Sequence, residues 1–222
     1  MTRRDDLLAT APALARRWLI LAIGMTALLT GVAMTIASNL GPGSWQVLEV
    51  ALAGVFDVDL GVVIVIESLV ALSIAWAWLG QRPGPATVVL GVLGGPSIDI
   101  LLEWLPAPTT TGSSLALLLA GSLLIAVGIA LYVPAELGPS AQDSLFVGLY
   151  RRFSMRPGTA KFGTDFLIIA VGWVLGGPVG LGTVLVTFLV PPVVDVLMPV
   201  GHRLAGTSAG SGALPPVTAT PI

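Results

Sequence analysis

The chain contains no cysteine, so disulfides, thiolate metal sites and cysteine nucleophiles are excluded. Its one histidine, His202, falls just past the last apolar run. A solvated side chain is expected there, and histidine chemistry has little support. Charge is scarce as well: 10% of the 222 residues are Asp, Glu, Lys or Arg, against about 25% in soluble domains. A net charge of -2 leaves no basic footprint for nucleic acid. No metal-ligand cluster, nucleophile motif or phosphate loop is found. An enzyme is therefore not expected, and no catalytic residue, metal or cofactor is assigned.

What is abundant is apolar. Hydrophobic residues make up 55% of the chain and the mean hydropathy is +0.95. A soluble domain of this length has no core large enough for so much apolar surface. The composition reads as an all-α, polytopic helical membrane protein whose first partner is the lipid bilayer. The 27 glycines and 17 prolines are compatible with membrane helices that pack against neighbours.

The runs are interrupted in an ordered way. Residues 1–17, with Arg3, Arg4, Arg16 and Arg17, read as a cytoplasmic arm with a surface amphipathic character. The apolar stretch that follows is longer than the ~7–15 residues of a signal-peptide core, so it reads as a retained span. Span a covers about Trp18–Ser38. Its Gly24, Ala27, Gly31, Thr35 and Ser38 fall on one face, where another helix can approach closely. Asn39-Leu40-Gly41-Pro42 then breaks the run, because glycine is flexible and proline lacks a donor. Ser44 is expected to cap a short helix b, about Ser44–Phe56. At roughly 1.5 Å per residue, b is too short for a core of about 30 Å. Span c (about Gly61–Leu79) and span d (about Pro85–Leu105) complete the first half. After a connection at 109–114, the plan repeats: a′ (about Leu115–Ala135), the break Glu136–Pro139, b′ (about Ser140–Phe153), c′ (about Phe162–Leu175) and d′ (about Gly180–Val200). The Gly-, Ser-, Thr- and Pro-rich tail, 204–222, reads as disordered and cytoplasmic.

The halves align at one constant offset that matches Gly31, Gly41-Pro42, Leu48 and Phe56 with Gly128, Gly138-Pro139, Leu145 and Phe153. After a single-residue deletion, Gly84, Thr87, Pro96 and Asp99 match Gly180, Thr183, Pro192 and Asp195. If b and b′ insert without crossing, each half has three crossings and the second is inverted. The expectation is six spans in two inverted three-span repeats (18–108 and 115–203), each with a short, partly inserted helix after a Gly-Pro break. Arg82, the Arg151–Lys161 cluster and Arg203 then lie inside, with both termini cytoplasmic, while Asp57, Asp59 and Glu103 lie outside. This agrees with the positive-inside rule. Trp18, Trp76 and Trp78 fall near the inner interface and Trp104 near the outer one, as an aromatic belt requires.

Carboxylates within apolar runs are costly and need a reason. Asp99 and Asp195 occupy matched positions on d and d′, each near a proline that frees a carbonyl about one turn earlier. A carboxylate beside free carbonyls suits a cation or proton; solvation at a nearby span end is the competing reading. Glu67, in c, is expected to face the bundle interior. Asp165, in c′, lies one turn after Lys161 and reads as a local ion pair. Asp143 reads as a helix cap and Glu49 is uninformative. The polar residues of the two breaks, Asn39 and Ser44 in one and Glu136 and Ser140 in the other, are the candidate lining of a solute or ion pathway.

The segment Gly31–Leu48, its echo Gly128–Leu145, and the Gly-x-x-Thr and Gly-Pro-x-x-Asp spacings of Gly84–Asp99 resemble the YczE/YyaS/YitT-like bacterial integral membrane proteins. The resemblance covers about Trp18–Val200 and departs at Pro191-Pro192, where the first half has Gly-Pro. It implies a multi-pass protein of the bacterial inner membrane and assigns no activity. Inverted repeats, broken helices and acids in spans are the ingredients of a secondary transporter or permease for a small solute, coupled to protons or a cation. The N-termini of b and b′ would face the breaks, where an anionic group could bind. The alternative is a non-transporting accessory protein that assists a partner complex. That alternative requires a closed bundle without a polar cavity. Small-residue faces also make self-association into a homo-oligomer an expectation to test.

Overall fold

The computed structural model describes residues 3–41, 43–58 and 60–207; the side chains of 3–11, 60, 61, 92, 95 and 99 lie outside the description, as do Pro42, Asp59 and positions 208–222. The described chain is helical. In order come α1 (Arg3–Ala37), α2 (Ser44–Phe56), α3 (Leu60–Ala77), α4 (Pro85–Trp104), α5 (Thr111–Tyr132) with a 3-10 turn (Val133–Ala135), α6 (Asp143–Phe153), α7 (Pro157–Val174) and α8 (Leu181–Ala205). The arm is thus not a separate element but the start of α1. The tail expected from Leu204 begins inside α8, and the rest of it lies beyond the described residues.

Among the described residues, three helices are long and apolar enough to cross a membrane: Pro12–Ala37, Thr111–Ala135 and Leu181–Ala205. Helix α4 joins them only if its two arms, Pro85–Gly91 and Pro96–Trp104, bent by 54°, count as one span. Helix lengths alone therefore establish fewer than the six expected spans. The apolar stretch of α3, Val62–Ala77, is shorter, and α7 carries Lys161 and Asp165. Much large apolar surface stays exposed, including Leu19, Val65, Ile66, Leu69, Val174 and five of the six tryptophans, which suits a lipid environment.

Helix ends follow local chemistry. Pro85 and Pro157 occupy the first turns of α4 and α7, where no amide donor is needed. Thr110 caps α5 by accepting from the Ser113 amide at 3.2 Å. At α2 the cap is Gly43 rather than Ser44, which is the first helical residue; Gln46 Oε1 accepts from the Gly43 N–H at 2.9 Å. The breaks need left-handed backbone: Asn39 and Glu136 have φ of 54° and 58°, and Gly41 and Gly138 have 136° and 110°. The turns after the two short helices match as well, with Asp57 at 51° and Ser154 at 52°.

Helices α1 and α5 cross antiparallel through four glycines. A Cβ on Gly24 would lie 3.0 Å from the Gly128 carbonyl, and one on Gly31 would lie 2.6 Å from the Gly121 carbonyl. Each contact joins one glycine to the counterpart of the other, so the backbones approach directly. The breaks are clasped reciprocally. The Gly182 N–H donates to Leu40 O at 2.8 Å, and the Ala86 N–H donates to Leu137 O at 2.9 Å. Each break is thereby pinned to the first turn of the last helix in the opposite half. Helix α5 also packs on α8, α2 on α7, and α7 on α8. The apolar core gathers around Tyr132, Phe146, Leu118, Ile129, Val190 and Val194. Among the described residues, α3 packs on α2 and α6 and forms no packed interface with α4.

Candidate functional site

The separation of α3 from α4 leaves a cavity of about 610 Å³. Leu28 and Val32 of α1, Leu90 of α4, Ile129 of α5 and Val190 of α8 supply apolar wall; Ile64, Ser68 and Leu69 line it from α3. The polar end is built from Ser44 and Glu49 of α2, Ser140, Gln142 and Asp143 at the start of α6, and Lys161 and Asp165 of α7. The two breaks therefore deliver their helix starts to one place.

Two buried polar groups meet there. In the first, Lys161 Nζ lies 3.1 Å from Asp165 Oδ1 and 3.8 Å from Asp143 Oδ1. The Tyr132 hydroxyl donates to Asp143, and the Ser140 hydroxyl accepts from the Asp143 N–H at 3.0 Å. The ammonium also sits 5.4 Å from the centre of the Phe146 ring, a cation–π distance. In the second, the Gln142 amide donates to Glu49 Oε1 at 2.9 Å and to Glu67 Oε1 at 3.5 Å. Glu67 is 8% exposed, and its other oxygen is buried without a hydrogen-bond partner. A buried polar atom left unpaired costs about 1–3 kcal/mol, more when charged, so this atom calls for a proton, which the neighbouring Glu49 carboxyl is placed to share.

The residues expected from the sequence distribute unevenly. Ser44 and Ser140 line this cavity, and Glu67 joins its polar end through Gln142 and Glu49 without lining it. Asn39 is exposed. Glu136 pairs with Arg17 at 3.7 Å and lines a separate cavity of about 310 Å³ with Gln81, Arg82 and Arg151. Asp195 accepts from the Gly158 N–H at 2.7 Å and pairs with Arg156 at 3.4 Å. It holds the start of α7 against α8 and does not line the main cavity. The side chain of Asp99 lies outside the described residues. Convergence of both breaks with both acids is thus seen for the breaks and not for Asp195.

Other residues enter that sequence reasoning passed over. Asp143 is not a simple cap: its carboxylate is held by Tyr132 and Lys161. The Lys161–Asp165 pair forms as spaced, but both members are buried. Glu49 is the only charged residue of α2, and that interruption of an apolar helix was the available signal. His202 is buried rather than solvated, with Nδ1 2.9 Å from the Thr207 hydroxyl. Among the described residues, no group of three or more His, Asp or Glu could hold a metal ion.

Comparison with known proteins agrees with this membrane architecture. Residues 15–199 match a family of unknown function, DUF6198. An uncharacterized protein of Haemophilus influenzae is 30% identical over 83% of this chain and 84% of its own length. The uncharacterized membrane protein YczE of Bacillus subtilis is 29% identical, with 90% and 96% covered. The uncharacterized protein YyaS of the same organism is 26% identical, with 84% and 94% covered. No solved structure matches. A match across most of the chain, together with the apolar helices, makes this an integral membrane protein that belongs to the DUF6198 family.

Proposed function

We propose that the protein is a secondary transporter or permease for a small solute in the bacterial inner membrane, coupled to protons or a cation. Its six spans form two inverted repeats, with α2 and α6 partly inserted and both termini cytoplasmic. The observation that carries this reading is the cavity of about 610 Å³ reached by both breaks and edged by ionisable side chains. Transporter sites of this kind form where discontinuous helices from two repeats meet. The antiparallel α1–α5 crossing, with its exchanged glycines, and the reciprocal clasps support the inverted arrangement. The accessory-protein alternative requires a closed bundle, and the cavity weighs against it. On this reading the protein is not an enzyme.

The cysteine-free chain allows a direct test. S44C and S140C, made singly, are probed with a membrane-impermeant maleimide in vesicles of both orientations. Alternating access predicts labelling from one face, switching to the other when the pH gradient is reversed. Labelling confined to one face under every gradient would sink the transporter reading. T109C and R82C test the topology, with reaction expected only from the outside and only from the inside, respectively.

A further inference from the structure

The charges at the polar end of the cavity do not balance, and the imbalance lies in one place. Asp143 and Asp165 share the Lys161 ammonium, and Asp143 also accepts from Tyr132. Glu49, which lines the cavity, and Glu67, which does not, share the neutral Gln142 amide and interact directly with each other. No described Lys, Arg or His forms an ion pair with either glutamate, and one Glu67 oxygen is buried with no donor unless a proton is shared with Glu49. Two carboxylates in one buried site hold a proton between them or bind a cation.

The rest of the lining narrows the cation. The walls are aliphatic, and Trp45, one helical turn before Glu49, also lines the cavity; aromatic faces attract cations. A strongly hydrated metal ion would need several oxygen ligands, and no such group of acids and histidines exists among the described residues. An anion is disfavoured too. The Gly43 N–H at the start of α2 is already bound by Gln46, and the Asp143 carboxylate occupies the first turn of α6. The gap between α3 and α4 is flanked by exposed apolar side chains, Val65 and Leu69 on one side and Val88 on the other.

Building on the transporter reading, we propose that the cavity binds a monovalent organic cation with an apolar body, such as a lipophilic quaternary ammonium or phosphonium ion. Its charged centre lies at Glu49, the member of the glutamate pair that lines the cavity, its body lies against the aliphatic wall, and its entry releases the one proton that Glu49 shares with Glu67. The exchange is one cation for one proton, so the site keeps its charge. A cavity of about 610 Å³ is of ordinary size for such a ligand.

The test uses full-length protein in nanodiscs of zwitterionic lipid, with empty nanodiscs as the blank. The probes are tetraphenylphosphonium and its size-matched anion tetraphenylborate. Expected are saturable phosphonium binding, about one proton released per cation into a weakly buffered medium, and no saturable borate binding. E67Q and E49Q should each bind the phosphonium about tenfold or more weakly, as loss of a charged partner implies, and release no proton. D195N should bind as the parent does. Absent saturable phosphonium binding, equal binding of the borate, or proton release undiminished in E67Q would each overturn the proposal. Proton release by the parent protein decides the matter if the variants fold poorly. Saturable borate binding displaced from the cavity would end the cation assignment and leave the solute-transporter reading standing. Saturable phosphonium binding without movement across proteoliposomes would do the reverse.

Discussion

The two halves share a plan but not a state of packing. In the second half, α8 runs as one helix from Leu181 to Ala205 and packs on both α5 and α7. In the first half, the matched helix α4 is bent by 54° and packs on α1 while standing away from α3. The difference traces to a few positions. Ahead of Pro96, α4 has Gly91, Gly94 and Gly95, whereas α8 has Thr187, Val190 and Pro191 at the matched places. A helix loses rigidity at glycine and loses a hydrogen bond at proline, so their combination bends it. In α8, Thr187 donates back to the Thr183 carbonyl at 2.7 Å, and Val190 is buried in the core. The same order of helices thus yields a closely packed half that anchors the fold and a looser half that opens the cavity.

The largest effect expected from breaking this contrast is at the α1–α5 crossing. A Cβ on Gly128 would lie 2.6 Å from the Leu28 nitrogen and 2.7 Å from the Gly24 carbonyl, both backbone atoms. G128L must push the helices apart, and no monodisperse protein is expected on size exclusion in detergent. G91L is the matched control in the open half, where an added Cβ meets nothing within 4 Å; it should be recovered normally. Equal recovery of both would show that the crossing is looser than the backbone contacts indicate.

Next comes the buried ion cluster. K161M leaves Asp143 and Asp165 facing each other without the ammonium that joins them. Removing one partner of a buried pair costs about 3–5 kcal/mol. Denaturant titration in detergent should show a loss of that order. Replacing Lys161 and Asp165 together by apolar residues should recover part of it, because one stranded charge is removed. No recovery in the double variant would mean that Asp165 has an independent role.

Between these features lies what could be read without a structure. The breaks were legible because Gly41-Pro42 and Gly138-Pro139 constrain backbone directly, and left-handed turns follow at both. The Lys161–Asp165 pair was legible from helical spacing. Its burial was not, because that depends on α6 and α2 arriving from elsewhere in the chain. Glu49 was uninformative in the sequence, because its meaning required α3 and the α6 start to bring Glu67 and Gln142 to it. Asp195 read as a pathway acid because a carboxylate beside proline looks chemically open. Its actual partner, the Gly158 N–H, starts another helix, and inter-helix capping leaves no local trace. D195A, which strands that N–H, should cost about 1–3 kcal/mol in the same denaturant titration. Its cavity should still bind ligand. Loss of binding in a folded D195A protein would return Asp195 to the pathway.

The smallest expected change in stability tests the comparison most directly. Gly91 and Gly94 have room for a methyl group: nothing lies within 4 Å of the first, and only the Leu29 side chain, at 3.9 Å, is near the second. Alanine at each should stabilise α4 by about 0.5–1 kcal/mol, through the lost backbone freedom of glycine. If the bend comes from these glycines rather than from Pro96 alone, the double variant G91A/G94A should straighten α4 and bring it toward α3, as α8 stands to α7. Spin labels at V70C and V88C, both exposed positions, would report a shorter and narrower distance distribution. Ligand binding should weaken as the cavity closes, while thermal stability rises slightly. A more stable protein with an unchanged α3–α4 distance would assign the bend to Pro96. The open half would then owe its shape to a proline that its closed counterpart also carries, at Pro192, and the difference would have to come from packing against α7.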